Sequence, residues 1–259
     1  MNQTERRIFL IQKLIKEQPR YKDLQIPQDI DEQKRLLRSL MNIRMPKSIS
    51  DDFLRVQDEY LREEIAAKSI TDIADLSHIS EGLYLWQGDI TTLRCDAIVN
   101  AANSGMTGCY APCHCCIDNC IHTYAGVQLR LECARLISEQ GHEEETGKAK
   151  ITSAYNLPCK YVIHTVGPII SDRVTNTDEK LLASCYCSCL ELCEKHGIKS
   201  IAFCCISTGE FRFPNDKAAE IAIQTVKNCK EETSSNIEVI FNVFKDADYK
   251  IYRELLTRN

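Results

Sequence analysis

From Leu83 onward, short apolar runs alternate with longer stretches of helical periodicity, and no other feature narrows the fold as far. The runs are Leu83-Tyr84-Leu85-Trp86-Gln87, Ala97-Ile98-Val99-Asn100, Tyr161-Val162-Ile163-His164, one over 200–206 and one over 237–243. Most are apolar at successive positions, which suits strands covered on both faces. Helical patterns occupy 124–140, 178–196 and 215–231 between them. Such alternation predicts an α/β fold, helices packed around a largely parallel sheet, with ligand loops at the carboxyl ends of the strands.

The first eighty residues have a different texture. Ile8, Phe9, Ile11, Leu14 and Ile15 recur at helical spacing within Glu5–Lys16, and Leu36, Leu37, Leu40 and Met41 do so within Glu32–Met41. Met45-Pro46 breaks the pattern, Ser50-Asp51 can cap the next helix, and Phe53–Ala67 carries that third amphipathic segment. Residues 1–80 thus read as a helical extension without a cluster of His, Cys or Gly, an appendage for packing or partner docking with no chemistry of its own.

A length of 259 residues suits one large domain plus such an extension. The chain has no apolar run of about 18 residues, the length a membrane-spanning helix needs. Its first residues, Met1 to Arg7, lack the apolar segment of a secretion signal, so a cytoplasmic protein is expected. In that compartment 15 cysteines are better read as core residues, thiols and metal ligands than as a disulfide framework. A net charge of −5 argues against nucleic acid as partner.

Four loops hold the residues suited to chemistry. Gly88-Asp89-Ile90-Thr91 places a carboxylate at a strand end, where it can accept hydrogen bonds or simply form a turn. Asn100-Ala101-Ala102-Asn103 combines small residues, which let a ligand approach the backbone, with two amides. Ser207-Thr208-Gly209-Glu210-Phe211-Arg212-Phe213-Pro214 leads into a helix whose amino end favours an anion. The fourth stretch, 108–122, packs Cys109, Cys113, His114, Cys115, Cys116, Cys120 and His122 into fifteen positions. Zinc takes thiolate and imidazole tetrahedrally, with four protein ligands in structural sites and commonly three in catalytic ones. Composition leaves the set open, a closed four-cysteine or three-cysteine-plus-histidine site included.

Other cysteines and histidines read as structural. Cys185, Cys187, Cys189 and Cys193 accompany leucines on a predicted helix, and Cys204 and Cys205 lie in an apolar strand, both settings for core packing. His122 and His164 read as structural, with a place on the cleft wall as the alternative. His78, His142 and His196 are expected on the surface.

Taken in order, Gly88-Asp89-Ile90-Thr91, Asp96-Ala97-Ile98-Val99-Asn100-Ala101-Ala102-Asn103, His164-Thr165-Val166-Gly167-Pro168 and Ile206-Ser207-Thr208-Gly209 resemble the signature of macrodomains, which bind ADP-ribose. The resemblance covers about residues 83–259 and implies a three-layer α/β/α sandwich with a mostly parallel mixed sheet. Ile121-His122 and Ala125-Gly126 match as well, but Cys109 through Cys120 replace the usual polyglycine. In this the chain is similar to the zinc-dependent macrodomains of bacteria, whose ligand pattern falls on Cys109, His114 and Cys116 and implies one Zn²⁺.

That resemblance implies a role for each loop. Asp89 and the Ile90 amide would meet adenine, while Ser207, Thr208, Gly209, Glu210 and Phe211 would surround the diphosphate. Asn103 would hold the distal ribose near Cys116, Ile117 and Asp118, and Arg212 stands where a glycine is usual. The implied activity is hydrolytic, glycosidase- or esterase-type removal of mono-ADP-ribose from modified proteins, with Asn103 and Asp118 catalytic. Asp118 has a plainer alternative as a helix cap. A non-catalytic ADP-ribose reader with a structural zinc is the rival reading, and a zinc phosphoesterase acting on small ADP-ribose derivatives a third. The family association extends to sirtuin-like ADP-ribosyltransferases and to a lipoylated carrier related to the glycine-cleavage H protein, a partner the extension would recognise.

Overall fold

The computed structural model describes residues 1–80 and 82–258. In chain order its helices and strands are α1 (Gln3–Lys16), α2 (Ile30–Ile43), α3 (Asp51–Ala66), β1 (Thr71–Asp72), β2 (His78–Ser80), β3 (Leu83–Gln87), β4 (Leu93–Arg94) and β5 (Ala97–Ala101). There follow α4 (Ile117–Ala125), α5 (Val127–Gln140), β6 (Ala149–Ser153), β7 (Tyr161–Thr165), α6 (Asn176–His196), β8 (Ser200–Phe203), α7 (Asn215–Thr233), β9 (Glu238–Val243) and α8 (Asp246–Thr257). The main sheet has the order β2-β3-β9-β8-β5-β7-β6; its edge pairs β2–β3 and β6–β7 are antiparallel and its centre is parallel. Helices cover it to complete the α/β/α sandwich.

The central strands are buried as their apolar runs require. Ala97, Ile98 and Val99 of β5 are fully covered, as are Ile201 and Ala202 of β8 and Val239 and Ile240 of β9. Cys185, Cys189 and Cys193 of α6 are also fully buried and behave as small apolar side chains in the core. Cys187 departs from that expectation: it turns to α7, where its sulfur lies 2.9 Å from that of Cys229. Strand β8 ends at Phe203, short of the 200–206 run, because Thr208 closes a turn on the Cys205 carbonyl and leads the chain out of the sheet.

One predicted helix becomes two. The 124–140 pattern is interrupted at Gly126, whose φ of +101° no side-chain-bearing residue adopts readily, so α4 ends at Ala125 and α5 starts anew. Nor is the amino-terminal part helical throughout. Residues 71–72 pair with β4, and 78–80 form the edge strand of the main sheet. The three helices keep their own core of Leu10, Ile11, Leu14, Leu37, Leu40, Phe53 and Val56, which Val127 of α5 joins.

Polar contacts tie the two parts together. Gln57 of α3 is fully buried; its Oε1 accepts from the Val127 amide at 3.0 Å, and its Nε2 donates to Gln128 at 2.7 Å. Replacing Gln57 with Leu leaves a buried helix-start N–H without a partner, a loss of about 1–3 kcal/mol. Urea unfolding should therefore show a lower midpoint with an unchanged slope.

Candidate active site

Four loops meet above the carboxyl ends of the parallel strands. The cysteine-rich segment runs from the β5 loop to the start of α4 and brings two of its thiols and one imidazole together. The ligand atoms of Cys109, His114 and Cys116 all lie within 4.8 Å of one another, and Cys109 Sγ is 3.6 Å from His114 Nδ1. Metal–ligand bonds of about 2.0–2.3 Å at tetrahedral angles place donor atoms about 3.5 Å apart, so this set fits a thiophilic divalent ion. Cys116 also caps α4, its sulfur accepting the Asn119 amide at 3.4 Å. Without a cation, burial beside Cys109 pushes the Cys116 thiol up to about 12, whereas a bound divalent ion holds it as thiolate. The neighbouring sulfurs face elsewhere: Cys113 meets Ser39 at 3.2 Å, Cys120 meets Arg38 at 3.6 Å, and Cys115 is exposed.

With Cys116 as cap, Asp118 is free for another role. Its side chain turns inward, where Oδ1 accepts from Asn100 Nδ2 at 2.8 Å and Oδ2 faces Asn103 Nδ2 at 3.3 Å. It is 5% exposed, and burial pushes its carboxyl up to about 6 against the opposing pull of the Asn100 bond and Arg130. Behind it, the Asn100 amide nitrogen also donates to His164 Nδ1 at 3.1 Å. This fixes the tautomer, since His164 Nε2–H is then the donor to Thr152 Oγ1 at 2.9 Å. A buried polar chain, Thr152–His164–Asn100–Asp118, thus crosses β6, β7 and β5 to reach the carboxylate.

His122, Cys133 and His164 form a second close set. It serves as scaffolding: His164 has both ring nitrogens engaged, and burial holds the pKa of both histidines well below the usual imidazole range, His164 at about 3.

The loop after β8 curls tightly. Ser207 and Arg212 take φ of +64° and +59°, and the Phe213 amide donates to Ser207 O at 2.9 Å. Arg212 therefore adopts the left-handed backbone a glycine would take, and the curl survives about 1 kcal/mol of strain there. Gly167 makes the curl possible from below, since a Cβ there would sit 2.0 Å from Ser207 Oγ. That buried hydroxyl has no partner among the described residues. Gly209 faces open space, and Glu210 reaches back across the crevice to place Oε1 3.5 Å from His114 Nε2.

At the other end Asp89 is already engaged. Its Oδ1 accepts from the Thr91 amide and hydroxyl at 3.0 and 2.6 Å, and Lys68 pairs with Oδ2 at 2.9 Å. Lys68 also lies 3.7 Å above the centre of the Tyr124 ring. Ile90 is buried under the turn.

Comparison with known proteins bears on this arrangement. The profile of the Macro domain family matches residues 99–222. A protein-ADP-ribose hydrolase of Treponema medium is 60% identical to this chain, covering 99% of it and 100% of the relative. One from Staphylococcus aureus (strain MSSA476) is 49% identical, covering 97% and 95%. The chain belongs to the macrodomain family. Among solved structures, a Trypanosoma brucei macrodomain in complex with ADP-ribose superposes with a TM-score of 0.65 at 30% identity over 81% of this chain and 92% of that one. The Oceanobacillus iheyensis macrodomain with ADP gives 0.62 at 36% over 70% and 93%.

Within the macrodomain crevice the structure adds residues that the sequence pattern left out. Phe244, just past β9, is 74% exposed beside the Asp89 loop, joined to it where Gln87 Nε2 donates to the Phe244 carbonyl at 3.3 Å. In sequence it merely ends an apolar run, and its exposure is decided by the strand's stopping at Val243. Lys68, Arg38 and Asn42 come from the extension, where no local signal marks them as neighbours of the loops.

The buried titratable groups make stability depend on pH. Between about pH 6 and 4, His164, at about 3 in the folded chain, takes a proton only on unfolding, and Asp118, at about 6, holds one only when folded, so these two roughly cancel. His122, held well below the usual imidazole range by burial, then sets the slope, and stability falls as pH falls. In the metal-stripped protein, His164→Gln should cancel that slope in urea midpoints measured across this range.

Proposed function

We propose that this macrodomain is a hydrolase that releases mono-ADP-ribose from modified proteins, with one zinc ion held by Cys109, His114 and Cys116 beside the distal ribose. The observation that carries this reading is the juxtaposition of that donor set with a buried carboxylate. Asp118 lies two residues after the proposed ligand Cys116 and is aimed between Asn100 and Asn103 rather than at the helix end. Relatives named protein-ADP-ribose hydrolases and a related structure in complex with ADP-ribose support the substrate class.

Each residue then has a physical task. The ring of Phe244 offers a face on which adenine stacks, and backbone amides of Thr208, Gly209, Glu210 and Phe211, with Ser207 Oγ, provide donors for the diphosphate. Glu210 is better suited to steady His114 than to meet phosphate, because two anions repel. Asn103, whose Nδ2 donates to the Gly108 carbonyl and to Asp118, accepts from a ribose hydroxyl at Oδ1, and Asp118 Oδ2 takes a proton from the attacking water as the water oxygen bonds to the anomeric carbon. The bond to the acceptor side chain breaks, and Asp118 returns the proton to the leaving atom. Zinc, when bound, supplies Lewis-acid charge where oxygen gains electron density.

Incubation of the metal-quantified protein with mono-ADP-ribosylated acceptors, a lipoylated carrier among them, tests this. ADP-ribose release that stops with a chelator and returns with zinc is expected. Tight binding without release on several linkages would favour the reader instead. Cys116→Ala should abolish release while ADP-ribose binding persists in part. By contrast, Phe244→Ala should lose about 1–3 kcal/mol of affinity, the usual worth of a base stacked on an aromatic ring, as read by calorimetry.

A further inference from the structure

Groups from outside the macrodomain sequence help to hold the cysteine-rich loop. Arg38, on α2, donates from Nη2 to the backbone carbonyl of His114 at 2.7 Å and to Asn119 Oδ1 at 2.9 Å. The second bond orients the Asn119 amide, since an oxygen facing Arg38 turns Nδ2 towards the loop. Asn119 Nδ2 donates there to the carbonyls of Ala111 at 3.0 Å and Cys109 at 3.4 Å. The Asn119 backbone N–H meets the third ligand, Cys116 Sγ. The backbones of His114 and Cys109 are therefore held through Arg38 or the side-chain amide it orients, Cys109 sharing its carbonyl with Arg130 at 3.4 Å, while Cys116 is held by the start of α4.

One turn further along α2, Asn42 Oδ1 accepts from the Cys113 amide at 2.9 Å while Nδ2 donates to Thr123 at 2.9 Å. Cys113 takes φ of +54°, a left-handed conformation unusual for a residue with a side chain, and Ser39 packs against its sulfur. From the other side Arg130 donates to the carbonyls of Asn42 and Arg44 at 2.5 and 2.7 Å, locking the end of α2 against α5. A loop with five cysteines over residues 109–120 would otherwise be free to present its sulfurs in many arrangements.

We infer that Arg38 is a positioning residue for the metal centre, presetting the backbones that carry His114 and Cys109 beside Cys116 before an ion arrives, so that the helical extension supports the site from outside. The role in metal binding rests on the proposed zinc reading, whereas the ordering of the loop does not. Partners that orient ligands are typically worth about 10–100-fold in metal affinity.

The test uses the full chain with Arg38→Ala and Arg38→Lys, and Arg55→Ala as a control on the exposed face of α3. Zinc affinity is measured by competition with a chromophoric chelator, and amide exchange over 109–120 in the metal-stripped protein. Arg38→Ala is expected to weaken zinc by about 10–100-fold and speed loop exchange, with Arg38→Lys between it and the parent and Arg55→Ala unchanged. Should Arg38→Ala fail to fold, the Lys variant carries the comparison. Parent-like zinc affinity in the folded variants, with the parent binding one zinc, overturns the inference. A parent that binds no zinc refutes the metal reading; faster exchange in the Arg38 variants then still supports the ordering role, and unchanged exchange overturns it.

Discussion

A carboxylate placed almost out of contact with water is the constraint on which the crevice depends. Removing Asp118 from solvent carries a desolvation cost that must be met by donors of fixed geometry. Asn100 provides one, and it can do so because β5 holds it between β7 and β8 in the sheet. Its second amide hydrogen is absorbed by His164, which is oriented in turn by Thr152. The acidic group at the site is thereby wired to the antiparallel edge of the sheet, and the orientation of one amide is decided by a hydroxyl two strands away. The two imidazoles behind it are kept neutral by their own burial.

A second constraint is the curl after β8. It requires two left-handed residues and the nearly bare backbone of Gly167 beneath it. Arg212 meets the requirement at some strain, which shows that the path of this loop is imposed by its ends. The Phe213 amide on Ser207 and the Ile170 amide on the Phe211 carbonyl clamp those ends.

Much of this was legible in the sequence, for physical reasons that can be stated residue by residue. Buried parallel strands need unbroken apolar runs, so β5, β7, β8 and β9 declare themselves, and β3 does too although only Leu83 and Tyr84 of it are buried. Edge strand β6, Ala149–Ser153, is half-covered and carries lysine, threonine and serine, which blurs its period. The division of α4 from α5 was hidden because helical periodicity continues on both sides of Gly126. At the site, loop residues that follow strands were readable as a group, and Cys109, His114 and Cys116 do come together. The inward turn of Asp118 was not readable, because it depends on Cys116 taking over the cap, a task sulfur seldom performs. Lys68, Arg38 and Asn42 lie 21 to 82 positions from the groups they touch, and separations of that kind leave no mark on local pattern.

The buried handshake of Gln57 with the start of α5, together with β2 completing the sheet edge, has a consequence for how such a protein can change over time. A segment that fills donors and acceptors inside its neighbour cannot be traded as a cassette: any replacement must supply an amide at the same depth and angle. The amino-terminal helices and the sandwich are therefore bound to drift together, each recording in its own interior the accidents of the other.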